Sequence, residues 1–299
     1  EGSLIKAIKG VFGLRVAPRL WYKKAKAVLE DAGWTQLASL PGVFVLRIGN
    51  ILKGILVLHV DDALHAGKGD EYEKTMDKIL KTFEIKDDKR KEGNFSFLGR
   101  QVAQQPDGTV FVTMQTYLDD VKPIFITKTR RSTSDATVTG AEKTELMSLV
   151  GQLAWVARES LPQIAFDVSD LQQRFNVATV TELVRANTVL RQAKKLVLTN
   201  VLKFVPINLD KATFISVTDA SFAGQPKGSS QMGLAVLMST GKILEGSDTA
   251  NMIEWHSKIH RVVKSTLAAE TAAMSFGFDR TFFAREVFTE VMFGRDRKW

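Results

Sequence analysis

Cysteine is absent from all 299 residues, which excludes disulfides, thiolate zinc sites and cysteine nucleophiles together. Long apolar runs are absent too. Gly54 to Leu58 is among the longest, far short of the roughly 20 residues that a helix needs to cross a bilayer. Nor does a basic region followed by an apolar core open the chain, so no secretory signal is visible. There is no initiator methionine, and Glu1-Gly2-Ser3-Leu4 reads as the start of a piece of something longer. Acidic charge is in the minority. The 33 Asp and Glu stand against 41 Lys and Arg, and the net charge of +8 favours an anionic partner such as nucleic acid without deciding it. The rest of the composition is that of a globular protein, 44% hydrophobic and 25% charged, long enough for about two domains with real cores.

One stretch stands out: Ile55-Leu56-Val57-Leu58-His59-Val60-Asp61-Asp62-Ala63-Leu64-His65-Ala66-Gly67. Two strand-forming arms flanking two acids predict a β-hairpin with carboxylates at its tip. Two readings follow. Aspartate is favoured in turns because its side chain bonds nearby backbone. Alternatively, carboxylates that cannot move apart repel each other unless a cation sits between them, and oxygen-only donors suit Mg²⁺.

Before the tip, Gly49-Asn50 separates Val43–Ile48 from Ile51–Val60 as a hairpin turn, which makes the region a small antiparallel meander. Pro18 marks a helix start, and Trp21, Tyr22, Ala25, Val28 and Leu29 recur at helical spacing. Arg15, Arg19, Lys23 and Lys24 make this start basic, as a solvated face or as an anion site. After the tip, Asp70 as N-cap and Glu73 as its capping-box partner open a helix striped by Tyr72, Met76, Ile79, Leu80 and Phe83. Strands resume at 95–102 and 110–112 around Pro106-Asp107-Gly108. The order predicts an α+β fold, an antiparallel sheet with helices on one face.

Residues 127–141, rich in Thr, Ser, Lys and Arg, read as a linker. Helices are expected over 145–158, 164–175 and 182–198. Their Arg174, Arg185, Arg191, Lys194 and Lys195 either line a nucleic-acid track or face solvent. From Ala212 the pattern returns to strands: 214–221, which ends just past Asp219, then 231–238, 241–244 and 253–256. A long helix over about 265–292 carries Glu270. An acid at a strand end with another early in a helix is a plausible two-part metal site, whereas His256 and His260 read as strand or loop residues.

This order of segments resembles the Ty1/copia class of retrotransposon polyproteins. Val11-Phe12-Gly13-Leu14-Arg15-Val16-Ala17-Pro18-Arg19-Leu20-Trp21-Tyr22 is similar to the family's Tyr-Gly-Leu-Lys-Gln-Ala-Pro-Arg-x-Trp-Tyr block, and His59-Val60-Asp61-Asp62 to its Tyr-Val-Asp-Asp box. Phe97-Leu98-Gly99, Leu149-Val150-Gly151-Gln152-Leu153 and Ile164-Ala165-Phe166-Asp167-Val168-Ser169 resemble later blocks. Thr218-Asp219-Ala220-Ser221 and Ala269-Glu270 resemble the first two acids of its ribonuclease H domain.

The resemblance implies a palm-like reverse transcriptase region over 1–126 and a helical thumb or connection over 127–210. It implies a truncated RNase H-like mixed α/β domain over 211–299. Asp61 would ligate catalytic Mg²⁺ or Mn²⁺ with Asp62 beside it. Gly13, Arg15, Ala17, Pro18 and Arg19 would lie near template and incoming nucleotide, and Asp219 and Glu270 would bind metal in the hydrolytic site. The implied partners are an RNA template, a DNA primer, the RNA–DNA hybrid, dNTPs and the rest of the Pol polyprotein, with no membrane. The implied location is intracellular, in a cytoplasmic virus-like particle.

There are departures. The family's remaining polymerase aspartate lies upstream of the proline block, before a Pro-Glu-Gly whose tail Glu1-Gly2 resembles, and the later hydrolytic acids fall beyond Trp299. Asp279 follows Glu270 on the opposite helix face, and Asp296 lies about 39 Å further along a continuous helix, so neither substitutes. His59 replaces an aromatic residue. The expectation is a fragment inactive in both reactions; the alternative is a decayed or domesticated copy that binds nucleic acid without catalysis.

Overall fold

The computed structural model describes residues 13–85, 92–225 and 228–294, so Glu1-Gly2, Val11-Phe12 and Asp296 lie outside the described residues. The chain divides into two compact units, one of residues 1–91 with 283–299 and one of residues 92–282. These divisions fall elsewhere than the boundaries at 126/127 and 210/211 that the sequence suggests.

In the first unit a helix, Ala17–Asp31 (α1), precedes four strands: Trp34–Gln36 (β1), Val43–Ile48 (β2), Ile51–His59 (β3) and Asp62–Gly67 (β4). They pair antiparallel in chain order, and a second helix, Asp70–Thr82 (α2), follows. Strand alternation decides the inner face. Trp34, Leu46, Gly54 and Gly67 form one row across the four strands, and Phe44, Leu56 and His65 the next. Trp34, Phe44, Leu46 and Leu56 are buried there with Leu29 of α1 and with Tyr72, Met76 and Ile79 of α2.

The two glycines of that row admit the Tyr72 ring. A Cβ on Gly67 would collide with it, and one on Gly54 would stand 2.8 Å from both Tyr72 and Trp34. With the sheet bare at that point, Tyr72 meets Trp34 edge-on at 6.1 Å, and its hydroxyl reaches His65 Nδ1 at 2.5 Å. The last turns of the chain's final helix also belong to this unit. Ala38 and Ser39 amides donate to the Glu290 carboxylate at 2.7 and 3.0 Å, and Arg47 donates to the carbonyls of Glu290, Val291 and Met292, which a helix end leaves unpaired.

The second unit has two sheets and a helical core. Strands Asn94–Phe97 (β5), Arg100–Gln104 (β6), Val110–Thr113 (β7) and Leu202–Phe204 (β8) make one antiparallel sheet. Between β7 and β8 run Gln115–Asp120 (α3), Lys128–Arg131 (α4), Gly140–Glu159 (α5), Ala165–Gln173 (α6) and Val180–Leu196 (α7). Leu146, Leu149, Val150 and Leu153 of α5 pack with Leu171 of α6 and Leu183 and Leu190 of α7. Ala212–Ser221 (β9), Ser230–Thr240 (β10) and Asn251–His260 (β11) form the other antiparallel sheet, followed by Thr266–Phe293 (α8).

That three-stranded sheet has a different neighbour on each face. α8 crosses one face at Gly277, where a Cβ would collide with Thr218 Cγ2. On the other face, Trp255 Nε1 donates to the Ala157 carbonyl at 2.7 Å, and Gln231 Nε2 donates to Ser169 Oγ at 3.0 Å.

Several expectations change. Every described strand pair is antiparallel, and the region from 211 onward is a three-stranded antiparallel sheet followed by one long helix among the described residues. Residues 241–245 form a 3₁₀ turn rather than a strand. α2 is preceded by Gly69 at φ 95 with no side-chain cap, which puts Asp70 inside the first turn, where its charge still favours the helix N-terminus. Residues 127–141 are not a free linker: Thr127 caps α4, and Arg130 donates twice to Glu142 at 2.8 Å, which with Thr139 forms the capping box of α5. Arg174 and Arg185 do not form an open basic track, because both pair with Asp170, and Arg185 also pairs with Asp167.

Two outcomes are expected. Gly67→Ala should destabilise the chain by about 1–3 kcal/mol in urea titrations, since the ring above it has nowhere to go; an unchanged midpoint would refute that packing. The Arg130 guanidinium, and after it the Thr139 amide, hold the Glu142 carboxyl down from an ordinary 4.5 to about 2. A depressed carboxyl contributes stability above its unfolded pKa and loses it as pH falls through the folded value. Stability should therefore drop between pH 4.5 and about 2, and Glu142→Gln should flatten that window. An equal drop in the variant would remove the assignment.

Candidate active site

His59 and Asp62 pair across a two-residue turn made of Val60 and Asp61. Val60 has φ 53, a left-handed conformation that glycine takes freely and a β-branched side chain resists. Positive φ at the first central residue is what a type II′ hairpin turn requires, and at Val60 it costs about 1–2 kcal/mol. A clamp opposes that cost. Trp21 Nε1 donates to the Val60 carbonyl at 2.5 Å, and the indole packs against Phe83 at 5.2 Å between centroids. Next to it, the Tyr22 hydroxyl donates to the Pro41 carbonyl at 2.5 Å, and Gln36 Nε2 donates to both of those oxygens. The two aromatic residues of α1 are thus tied to the tip and to the loop before β2.

Asp61 and Asp62 are both exposed at this tip. Ala17 and Pro18 open α1 and lie four and three residues before Trp21, on the same helix face. Arg19 lies off that face and is exposed, while exposed Arg15 and Gly13, the latter at φ 92, precede the helix. Mg²⁺ is commonly bound through one or two carboxylates together with substrate phosphates, and the adjacent pair at the tip fits that donor set. Among the described residues no cluster of three or more His, Asp or Glu able to hold a metal occurs.

Asp219 lies on β9 and Glu270 on α8. Asp219 pairs with Gly233, which pairs with Ser257, placing the carboxylate on the sheet face turned to α6. There it lines a cavity of about 410 Å³ with Ser221, Gln231, Trp255, Ser257 and Phe166. α8, which carries Glu270, lies against the opposite face, where Thr218 meets Gly277. His256 is a strand residue, bonded to Glu254 at 2.6 Å.

The clamp escaped the sequence reading, which took Trp21 and Tyr22 only as part of a helical stripe. Its one legible signal was a valine in a two-residue turn. Val60→Gly should raise stability by about 1 kcal/mol by relieving the backbone, and Trp21→Phe should lower it by about 1 kcal/mol through loss of the hydrogen bond. Denaturant midpoints check both, and a destabilised Val60→Gly would contradict the strained turn.

Residues 1–134 match a family model described as reverse transcriptase (RNA-dependent DNA polymerase). Over 62% of this chain the sequence is 28% identical to the retrovirus-related Pol polyprotein from transposon RE1 of Arabidopsis thaliana, and over 57% it is 27% identical to that from transposon RE2. It is also 24% identical, over 61% of its length, to the transposon Ty5-1 protein YCL074W of Saccharomyces cerevisiae. The matched stretch spans 13% and 12% of the two plant polyproteins and 62% of the yeast protein. The Pro18–Tyr22 block and the Asp61-Asp62 hairpin, joined through Trp21, both fall within the matched region. Residues 1–134 are thus similar to the reverse transcriptase family, in a chain that is similar over about three fifths of its length to retrotransposon Pol polyproteins.

Proposed function

We propose that the hairpin tip is the carboxylate element of a polymerase site, and that the chain serves RNA-directed DNA synthesis as part of a Pol polyprotein. One observation carries this: the Trp21–Val60 hydrogen bond joins two motif blocks 39 residues apart at the place where the acids are displayed. Asp61 sits in the two-residue turn and Asp62 opens β4 opposite His59, so both acids are displayed at the tip. Mg²⁺ bound there would neutralise phosphate charge and activate a primer 3′-hydroxyl. The chain's own contribution is position, since phosphoryl transfer asks a protein chiefly for placement and charge. Arg15 and Arg19, exposed at the start of α1, are placed to meet template or nucleotide phosphates. The proposed partners are an RNA template, a DNA primer, their hybrid and dNTPs.

Two carboxylates without a third among the described residues also support a second reading, a chain that binds nucleic acid but does not extend primers by itself. No hydrolytic step is assigned to Asp219 and Glu270.

Mn²⁺ used as a paramagnetic probe should broaden the amide NMR signals of residues 59–63 in the full chain. Asp61→Asn with Asp62→Asn should abolish the effect, and its survival in that double variant would overturn the proposed site. Primer extension by residues 1–299 with Mg²⁺ is expected to be absent, and observed extension would reject the second reading.

A further inference from the structure

Phe125 is the most exposed large hydrophobic side chain among the described residues, at 85%. Its exposure is imposed by a pinned backbone. Asn187 of α7, itself buried, accepts from the Ile124 amide and donates to the Ile124 carbonyl, both at 2.8 Å. Val121 and Ile124 are buried, and Ile126 packs against the helical core. Between such anchors an extended chain must turn its alternate residues outward. Pro123, Phe125 and Thr127 are those residues, and all three are exposed.

The charges around Phe125 are of one sign. From Val121 to Thr133 there is no acid, and Lys122, Arg130, Lys128 and Arg131 supply four cations. Arg130 is neutralised by Glu142. Lys122, Lys128 and Arg131 are exposed and make no ion pair or side-chain hydrogen bond among the described residues. The nearest acids in the chain, Asp119, Asp120 and Asp135, lie outside the segment. Lys122 stands three residues before Phe125 and Lys128 three after it, so cations flank the ring within about 10 Å of chain on each side.

A rigidly presented aromatic face between unpaired cations is the chemistry that binds single-stranded nucleic acid, with a base stacked on the ring and phosphates on the flanking charges. We propose that residues 122–131 form a single-strand platform in which Phe125 stacks a base and Lys122, Lys128 and Arg131 contact phosphates. The proposal rests on the reading of nucleic acid as the partner, but not on a working polymerase site.

The test is binding of a fluorescent 15-mer of dT to the full chain, without divalent metal and across a salt series. Asp61→Asn with Asp62→Asn is carried as a background, so that failure of the polymerase reading leaves this measurement standing. Phe125→Ala should weaken binding about tenfold or more, Phe125→Leu should not restore it, and Phe125→Trp should. Replacing Lys122, Lys128 and Arg131 by Gln should reduce the slope of log affinity against log salt by about 2, roughly 0.7 for each lost phosphate contact. Wild-type affinity in Phe125→Ala, full rescue by Phe125→Leu, or an unchanged slope in the triple variant would each overturn the platform. So would a salt-insensitive self-association that Phe125→Ala abolishes, since the ring would then cover a second copy of the chain. Because all four side chains are exposed, their variants should keep the wild-type melting profile, which is read alongside.

Discussion

A single hydrogen bond into a strained turn sets the geometry of the candidate site. Val60 must hold a backbone conformation that its own side chain opposes, and the carbonyl it thereby presents is taken by the Trp21 indole. If Val60 relaxed, the carbonyl would swing away and the two-residue loop would have to lengthen or splay. Asp61 and Asp62 would then no longer be held at the end of a ladder. The clamp also explains why tryptophan and tyrosine stand together in α1. One reaches the turn and the other the loop before β2, so the helix cannot roll without breaking both.

Beneath the turn, the sheet depends on two missing side chains. Gly54 and Gly67 leave a bare patch on adjacent strands, and Tyr72 lies on it, touching Trp34 and His65. Glycine within a strand sacrifices stability that a larger residue would supply. Here the loss is offset by a buried aromatic ring that ties α2 to three strands. Side-chain volume moved from the strands to the helix leaves α2 locked over the hairpin whose far end carries the acids.

Sidedness sets the surroundings of Asp219. β9 shows Asp219 to α6 and Thr218 to α8, and the pairing runs without a bulge from Ala212 to Ser221. Asp219 stands in a cavity with Trp255 and Gln231, beside the hydrogen bonds that tie the sheet to α5 and α6.

The sequence by itself determined the local elements. The meander, its Gly49-Asn50 turn, the acidic tip, the helices after Pro18 and Pro162 and the α+β character all followed from apolar period and turn chemistry, which act over a few residues. It also carried the two motif blocks that fall in the region similar to reverse transcriptases. Long-range pairing was invisible to it: Trp21 with Val60, Asn187 with Ile124, Arg185 with Asp167. Those partners are fixed by packing between distant segments, and no periodicity encodes them. The face on which Asp219 falls is of the same kind. Alternation says that neighbouring residues point oppositely, but only a helix laid on one side says which of them is covered.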